Sequence, residues 1–241
     1  MSIALTDDHV ELASVVREFA VDRKVRAQAR DRLDAPEEAR PTFWAEIAEL
    51  GWLGLHVAEE YGGSGFGIAE LVVVTEELGR AVAPGPFLPT VIASAILTHA
   101  DDETRARWLR SLVDGTVTAG VAVVPGLTEA GGAVSGQVDA VLGAPLADLL
   151  VLIGDDDVLV VESSDSGVEV GAHADLDPTR LSARVSLSSA AAVRLPRLAA
   201  TALALTRTLV AAEAVGGARD ALDAAVAYAK VREQFGRTIG T

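Results

Sequence analysis

Apolar positions in the first 115 residues recur at intervals of three and four, the spacing of helices that bury one face. Leu12, Val15, Val16 and Phe19 form one such stripe. Thr6 can cap that helix, and Asp7 and Asp8 place carboxylates beside the positive end of its dipole. "PTFWAEIAELG" repeats the pattern: Pro41 precedes it, Phe43, Ile47 and Leu50 share a face, and Gly51 is placed to end it. A further stripe of Ile68, Leu71, Val72, Thr75 and Leu78 predicts a helix stopped by Gly79. "PGPFLPT" reads as a rigid turn, followed by a short apolar helix around Val91 to Leu97 and another in "DDETRARWLRSLVDG", closed by Gly115.

Between about 117 and 193 the period shortens. "TAGVAVV", "VDAVLGA", "DLLVLIG" and "DDVLVVES" are short Val- and Leu-rich runs separated by Gly, Pro and Asp, and "LSARVSL" alternates with period two. This texture predicts a small β domain. From about Leu198 the helical period returns with two apolar stripes, one through Leu198, Ala202, Leu205, Leu209 and Ala212, the next through Val215, Ala218, Leu222, Val226 and Ala229. A helix apolar on more than one face expects neighbours on more than one side. Helical through Phe235, it would run for roughly 38 residues and about 57 Å, against a radius of gyration of about 18 Å for a compact chain of this length. It would project unless other helices pack along it.

Half of the 241 residues are apolar, so a core is affordable. The formal net charge of −15 argues against an electrostatic grip on nucleic acid or an anionic membrane. The absence of cysteine excludes disulfides, thiolate zinc sites and cysteine nucleophiles. The N-terminus lacks the order of a signal peptide and no apolar run approaches the roughly 20 residues of a membrane span, so a cytoplasmic protein is expected.

Among small motifs, "YGGSGFG" echoes a dinucleotide-binding turn, but no strand precedes it, and a structural turn is expected. His9, His56, His99 and His173 fall in four separate segments, without metal-ligand spacing, so no metal site is expected. The basic run from Arg17 to Arg32 also contains Glu18, Asp22 and Asp31 and reads as a solvated face of mixed charge. "YAKVREQFGRTIGT" stands apart. Arg232 offers a planar fork suited to a pyrophosphate, Gln234 can donate and accept at a base or sugar edge, and Phe235 offers an apolar ring face. These three are the candidate cofactor-binding residues, and an ordinary helix end remains the alternative.

Three stretches, in order, resemble the acyl-CoA dehydrogenase family of flavoenzymes. "ELGWLGLHVAEEYGGSGFGIAELVVVTEELGRAVAPGPFLPT" is similar to its N-terminal helical signature, "LDPTRLSARVSL" to the closing strands of its middle domain, and "AEAVGGARDALDAAVAYAKVREQFGRTIG" to the first long helix of its C-terminal bundle. The resemblance implies an α+β multidomain fold: an N-terminal helical domain over 1–116, a middle small β-barrel or sandwich domain over 117–194, and over 195–241 the beginning of a C-terminal four-helix bundle, here incomplete. It implies FAD, bound between β domain and bundle, with its adenosine pyrophosphate reaching a neighbouring subunit at Arg232, Gln234 and Phe235. It further implies α,β-desaturation of an acyl-CoA in lipid metabolism, a homo- or hetero-oligomer, and an electron-transfer flavoprotein or similar acceptor.

The sequence departs from the family in three places. The carboxylate base usually comes from later in the bundle; in a minority it lies near the start of the first long helix, and Thr206 stands at that position, with Glu213 the next carboxylate. The flavin-facing loop is pared back: Thr128 and Glu129 are present, but Ala140 and Leu142 stand where Trp and Thr are expected. The later bundle helices are missing before the last residue, Thr241. The expectation is therefore a truncated or partner subunit that lacks its own catalytic base, so that no catalytic residue is assigned. The alternative is a non-catalytic scaffold binding neither FAD nor acyl-CoA.

Overall fold

The computed structural model describes residues 5–34, 39–172 and 175–240, so the expectation for His173 lies outside the described residues. Six helices come first: α1 (Asp7–Asp22), α2 (Val25–Asp31), α3 (Trp44–Glu49), α4 (Ile68–Arg80), α5 (Phe87–Leu97) and α6 (Asp102–Val113). Seven strands follow: β1 (Ala119–Val123), β2 (Thr128–Ala130), β3 (Ala133–Leu142), β4 (Leu149–Ile153), β5 (Val158–Glu162), β6 (Val168–Ala172) and β7 (Ser182–Leu195). The chain then enters α7 (Ala199–Val231) and ends in a ribbon of β8 (Glu233–Gln234) and β9 (Arg237–Thr238).

Local chemistry accounts for the starts of α1, α4 and α6. The Thr6 side chain accepts from the His9 backbone N–H while the His9 ring faces the Thr6 N–H, a reciprocal cap on α1. Glu70 accepts from the Gly67 N–H at the head of α4, and Asp101 accepts from the Thr104 N–H at the head of α6. Val16, Phe19, Phe43 and Ile47 are buried as the apolar stripes predict, whereas Val15 and Leu50 lie on the solvent side. Both occupy the edge of their stripes, and neighbouring elements cover only the stripe centres.

The sheet order is β2-β3-β1-β4-β5-β7-β6, and β3 also pairs with β7, which closes β3-β1-β4-β5-β7 into a small barrel with β2 and β6 as attached edges. One face of β1, β4 and β5 is buried with the helices through Val121, Val151 and Val160; the other fills the barrel through Ala122, Leu150, Leu152 and Val161. Strands buried on both faces read as continuous apolar runs rather than as alternation, which is the texture of "DLLVLIG". β2, β6 and α2 were not anticipated. All are short; the three-residue β2 carries a Glu, and the five-residue β6 a Glu and a Gly.

Three expectations are corrected. Gly79 does not stop α4, which continues to Arg80; a Cβ on Gly79 would lie 2.4 Å from the Glu213 carbonyl oxygen, so the glycine is a point of backbone contact with α7. Its counterpart is Gly216, where a Cβ would lie 1.8 Å from the Glu76 carbonyl oxygen. The basic run is also more than a solvated face: Arg17 pairs with Glu77 of α4, Arg23 with Glu46 of α3, and Arg26 with Asp220 of α7. Third, α7 is long and apolar enough to cross a membrane by length and composition, contrary to the count of apolar runs. Its first half nevertheless packs on α4 and α5, burying Ala202, Leu209, Ala212 and Gly216, which is the pattern of a domain helix.

"YGGSGFG" is the structural turn the sequence predicts. Gly63 donates to the Ala58 carbonyl, Ser64 to that of Gly54 and Phe66 to that of Leu55, folding the segment back on the preceding loop. No phosphate cradle forms there, because those N–H groups are spent on the chain itself.

Candidate functional site

α7 ends one residue before the candidate triad begins. Arg232 is extended (φ −75°, ψ 122°), its N–H donating to the Tyr228 carbonyl, so the helix covers 33 residues and about 50 Å rather than running through Phe235. Beyond it Glu233 pairs with Thr238 and Gln234 with Arg237. The two residues between them, Phe235 and Gly236, have φ of +53° and +76°, the signature of a type I′ turn. The Ile239 N–H donates to the Arg232 carbonyl and the Gly240 N–H to that of Ala229, which ties the ribbon back onto the helix end.

The structure thus brings the three predicted residues together on one small ribbon. All are exposed, and Phe235 is 100% exposed. Side chains alternate along an extended segment, so Arg232 and Gln234 share a side. The Gln234 amide donates only to its neighbour's carbonyl, and Arg232 carries no ion pair among the described residues. Lys230 and Arg237, missed in the sequence reading, add two exposed cations; Arg237 follows the turn directly, and Lys230 lies in the last turn of α7, where the dipole favours a cation. A dianion with an attached planar ring would meet complementary charge and an apolar ring face here. The residues fit the adenosine pyrophosphate of FAD.

The ribbon carries one exposed carboxylate, Glu233, between Arg232 and Gln234; the side chains considered as a base lie elsewhere and are engaged. Glu213 accepts from Arg180 Nη1 at 2.8 Å and Nη2 at 2.6 Å, and the same guanidinium donates to the Gly85 and Ala83 carbonyls. Its role is to bind α7 to the chain before β7. The Thr206 hydroxyl donates to the Ala202 carbonyl within its own helix. Glu129 accepts from the Gly132 N–H and closes the β2–β3 turn.

A second concavity of about 270 Å³ lies where β1 and β4 end, lined by Gly126, Leu127, Glu129, Asp155, Asp157 and Arg194 among others. Asp157 is held below the usual carboxylate range by the Arg197 N–H and then by Arg194, so it stays anionic. Ala140 is exposed with φ +57°, at a register shift of β3 between Val138 and Val141, and Leu142 is partly buried. An exposed alanine on a bulge offers no aromatic wall.

The family model for the acyl-CoA dehydrogenase N-terminal domain matches residues 6–116, and that for the C-terminal domain matches residues 197–241. The chain belongs to the acyl-CoA dehydrogenase family. Acyl-CoA dehydrogenase FadE34 of Mycobacterium tuberculosis is 34% identical over 251 residues, taking in 100% of this chain and 34% of FadE34. Acyl-CoA dehydrogenase IpdE2 of the same organism is 33% identical over 234 residues, with 95% of this chain and 65% of IpdE2 covered. The chain therefore spans about a third of one relative and just under two thirds of the other. The solved Tcur3481-Tcur3483 steroid ACAD superposes with a TM-score of 0.89 at 29% identity, covering 98% of this chain and 70% of that one. The ChsE4-ChsE5 complex from Mycobacterium tuberculosis gives the same TM-score at 24% identity and supports the fold. In acyl-CoA dehydrogenase terms, the helices, barrel and α7 are the family's N-terminal domain, middle domain and first part of its C-terminal domain.

Proposed function

We propose that these residues form part of an FAD-dependent acyl-CoA dehydrogenase, contributing Arg232, Gln234 and Phe235 to an FAD site shared with a partner subunit. The observation that carries this reading is Phe235, a bulky residue in the left-handed region with its ring wholly in solvent. Such a conformation costs about 1 kcal/mol or more; the ribbon's backbone hydrogen bonds hold the turn, but the ring itself gains no packing among the described residues. A ligand seated on the ring would supply it. Bound FAD supplies the two-electron acceptor of α,β-desaturation. This chain's part is to hold the pyrophosphate with Arg232, aided by Lys230 and Arg237, and to place Gln234 and Phe235 against the adenosine.

On this reading the α-proton is taken by a carboxylate of a partner subunit, since Glu213 and Glu129 are engaged and Thr206 is no base. A partner subunit supplying it agrees with relatives described as pairs, the Tcur3481-Tcur3483 steroid ACAD and the ChsE4-ChsE5 complex. The former also makes a steroid-derived acyl-CoA the first substrate to try. Co-purification with a candidate partner tests the reading: the complex is expected to be yellow and to bleach on adding the acyl-CoA. An Arg232→Ala complex with parental flavin content and turnover sinks it.

The alanine at 140, where the family places an aromatic wall, favours a second reading, a scaffold that binds neither FAD nor acyl-CoA. A rise in thermal stability of the complex on adding FAD counts against it, because a ligand stabilises only the state that binds it.

A further inference from the structure

The basic run of α1 and α2 has a use that neither the FAD lip nor the helix packing absorbs. Arg17, Ala20 and Val21 of α1, with Lys24 just beyond it, line a cleft of about 470 Å³ together with Glu77 and Arg80 of α4, Ala81 at its end, and Asp220 of α7. A second concavity of about 180 Å³ follows it past Arg26, lined by Ala29, Arg30, Leu33, Val82 and Thr179. Lys24 adopts φ +50° between α1 and α2, and this sharp corner turns the two helices into successive walls of one groove.

The floor is apolar and open: Val21 is 75%, Leu33 62% and Val82 42% exposed, while Ala20, Ala29 and Ala81 leave room between them. The rim is cationic. Arg17, Lys24, Arg26, Arg30 and Arg80 line the groove against only two carboxylates, Glu77 and Asp220. Arg17, Arg26 and Arg80 are engaged with Glu77, Asp220 and Asp223, whereas Lys24 and Arg30 carry no ion pair among the described residues. This cationic surplus stands on a chain of net charge −15.

We propose that the groove docks an acidic amphipathic helix of a protein partner. Its apolar stripe would lie on Val21, Ala81, Val82 and Leu33, and its flanking carboxylates would meet Lys24 and Arg30. Charge complementarity selects an acidic ligand, and concavity selects a helix over a lipid surface: a bilayer needs a protruding or flat basic face, and the rest of this anionic chain would be repelled by it.

The test is fluorescence anisotropy with a labelled peptide of about 18 residues, Leu at helical spacing and Glu on both flanks of the stripe. Saturable binding is expected, weakened about tenfold or more by Lys24→Glu with Arg30→Glu, by Val21→Asp, and by raising salt from about 50 to about 500 mM. A scrambled peptide of equal composition is expected to bind about tenfold more weakly. The three substituted side chains are exposed, and thermal unfolding checks that the fold is intact. The inference is overturned by absent saturation, by a charge-reversed variant that binds as the parent does, or by a scrambled peptide of equal affinity. Sedimentation with phosphatidylglycerol vesicles is the second arm. Retention that depends on Lys24 and Arg30, without peptide binding, assigns the surface to lipid and also overturns it.

Discussion

Arg180 grips Glu213 through both terminal nitrogens, at 2.8 and 2.6 Å, while donating to the Gly85 and Ala83 carbonyls. One side chain, 10% exposed, thereby joins the α4–α5 connection, the chain before β7, and α7. Removing Glu213 takes the two-pronged carboxylate from the Arg180 guanidinium, and removing Arg180 takes both donors from Glu213. Glu213→Gln is expected to lower unfolding free energy by about 2–4 kcal/mol in urea titration, and Arg180→Lys by somewhat less, since the ammonium keeps the charge but not the fork. Equal stability of all three proteins would refute a clamping role.

The helix crossing makes a sharper prediction. Gly216→Ala must push the Glu76 carbonyl away from a Cβ at 1.8 Å, and backbone atoms have nowhere to rotate. A loss of about 2–3 kcal/mol is expected, read as a lowered Tm. Gly217→Ala, whose nearest neighbour would be the Gly79 carbonyl oxygen at 3.9 Å, is the control, expected to be neutral or to stabilise by up to about 1 kcal/mol through helix propensity.

His56 should set part of the acid sensitivity. Its Nε2 faces the Ser94 hydroxyl and its Nδ1 is shut from solvent with no hydrogen-bond partner among the described residues; burial lowers the ring to about 4 from the usual 6.5. Below pH 6.5 the unfolded chain therefore binds a proton that the folded chain refuses, and stability falls until the folded ring titrates near pH 4. The loss attributable to His56 is about 3 kcal/mol across that window. Stability measured from pH 7 to pH 4 should show a shallower slope in His56→Gln, and an unchanged slope would exclude the ring as its source.

At the ribbon, function and stability should separate. Phe235→Ala removes a ring that touches nothing, so Tm should hold within about 0.5 kcal/mol equivalent. FAD affinity of the complex with its partner should drop about tenfold. A fall in Tm without a change in FAD affinity would make the ring structural.

How much of this the sequence carried varies with the physics involved. Stripes such as Val16–Phe19 and Phe43–Ile47 were readable because helix burial repeats every turn, and the buried strands because Val and Leu cluster between Gly and Asp. Gly79 misled because a glycine near a helix end looks alike whether it ends the helix or admits a neighbour; only Gly216, 137 positions later, distinguishes the two cases. The same holds for Arg180 and Glu213, an ordinary Arg and an ordinary Glu until the fold brings them together. The three residues of the proposed FAD lip stood out by type, and the structure gathers them on one ribbon. Their turn did not stand out, because Phe-Gly is an unusual occupant of a hairpin that prefers Asn-Gly.

The contact of main chain on main chain at Gly79 and Gly216 has a mechanical consequence. No side chain intervenes there, so the spacing of α4 and α7 is insensitive to the size of residues elsewhere on either helix. Arg232 lies sixteen residues past Gly216, a lever of about 24 Å. A rotation of about 5° at this fulcrum would swing the ribbon by about 2 Å, enough to break a hydrogen bond to any ligand held at its tip. The two glycines fix an aim as well as a distance.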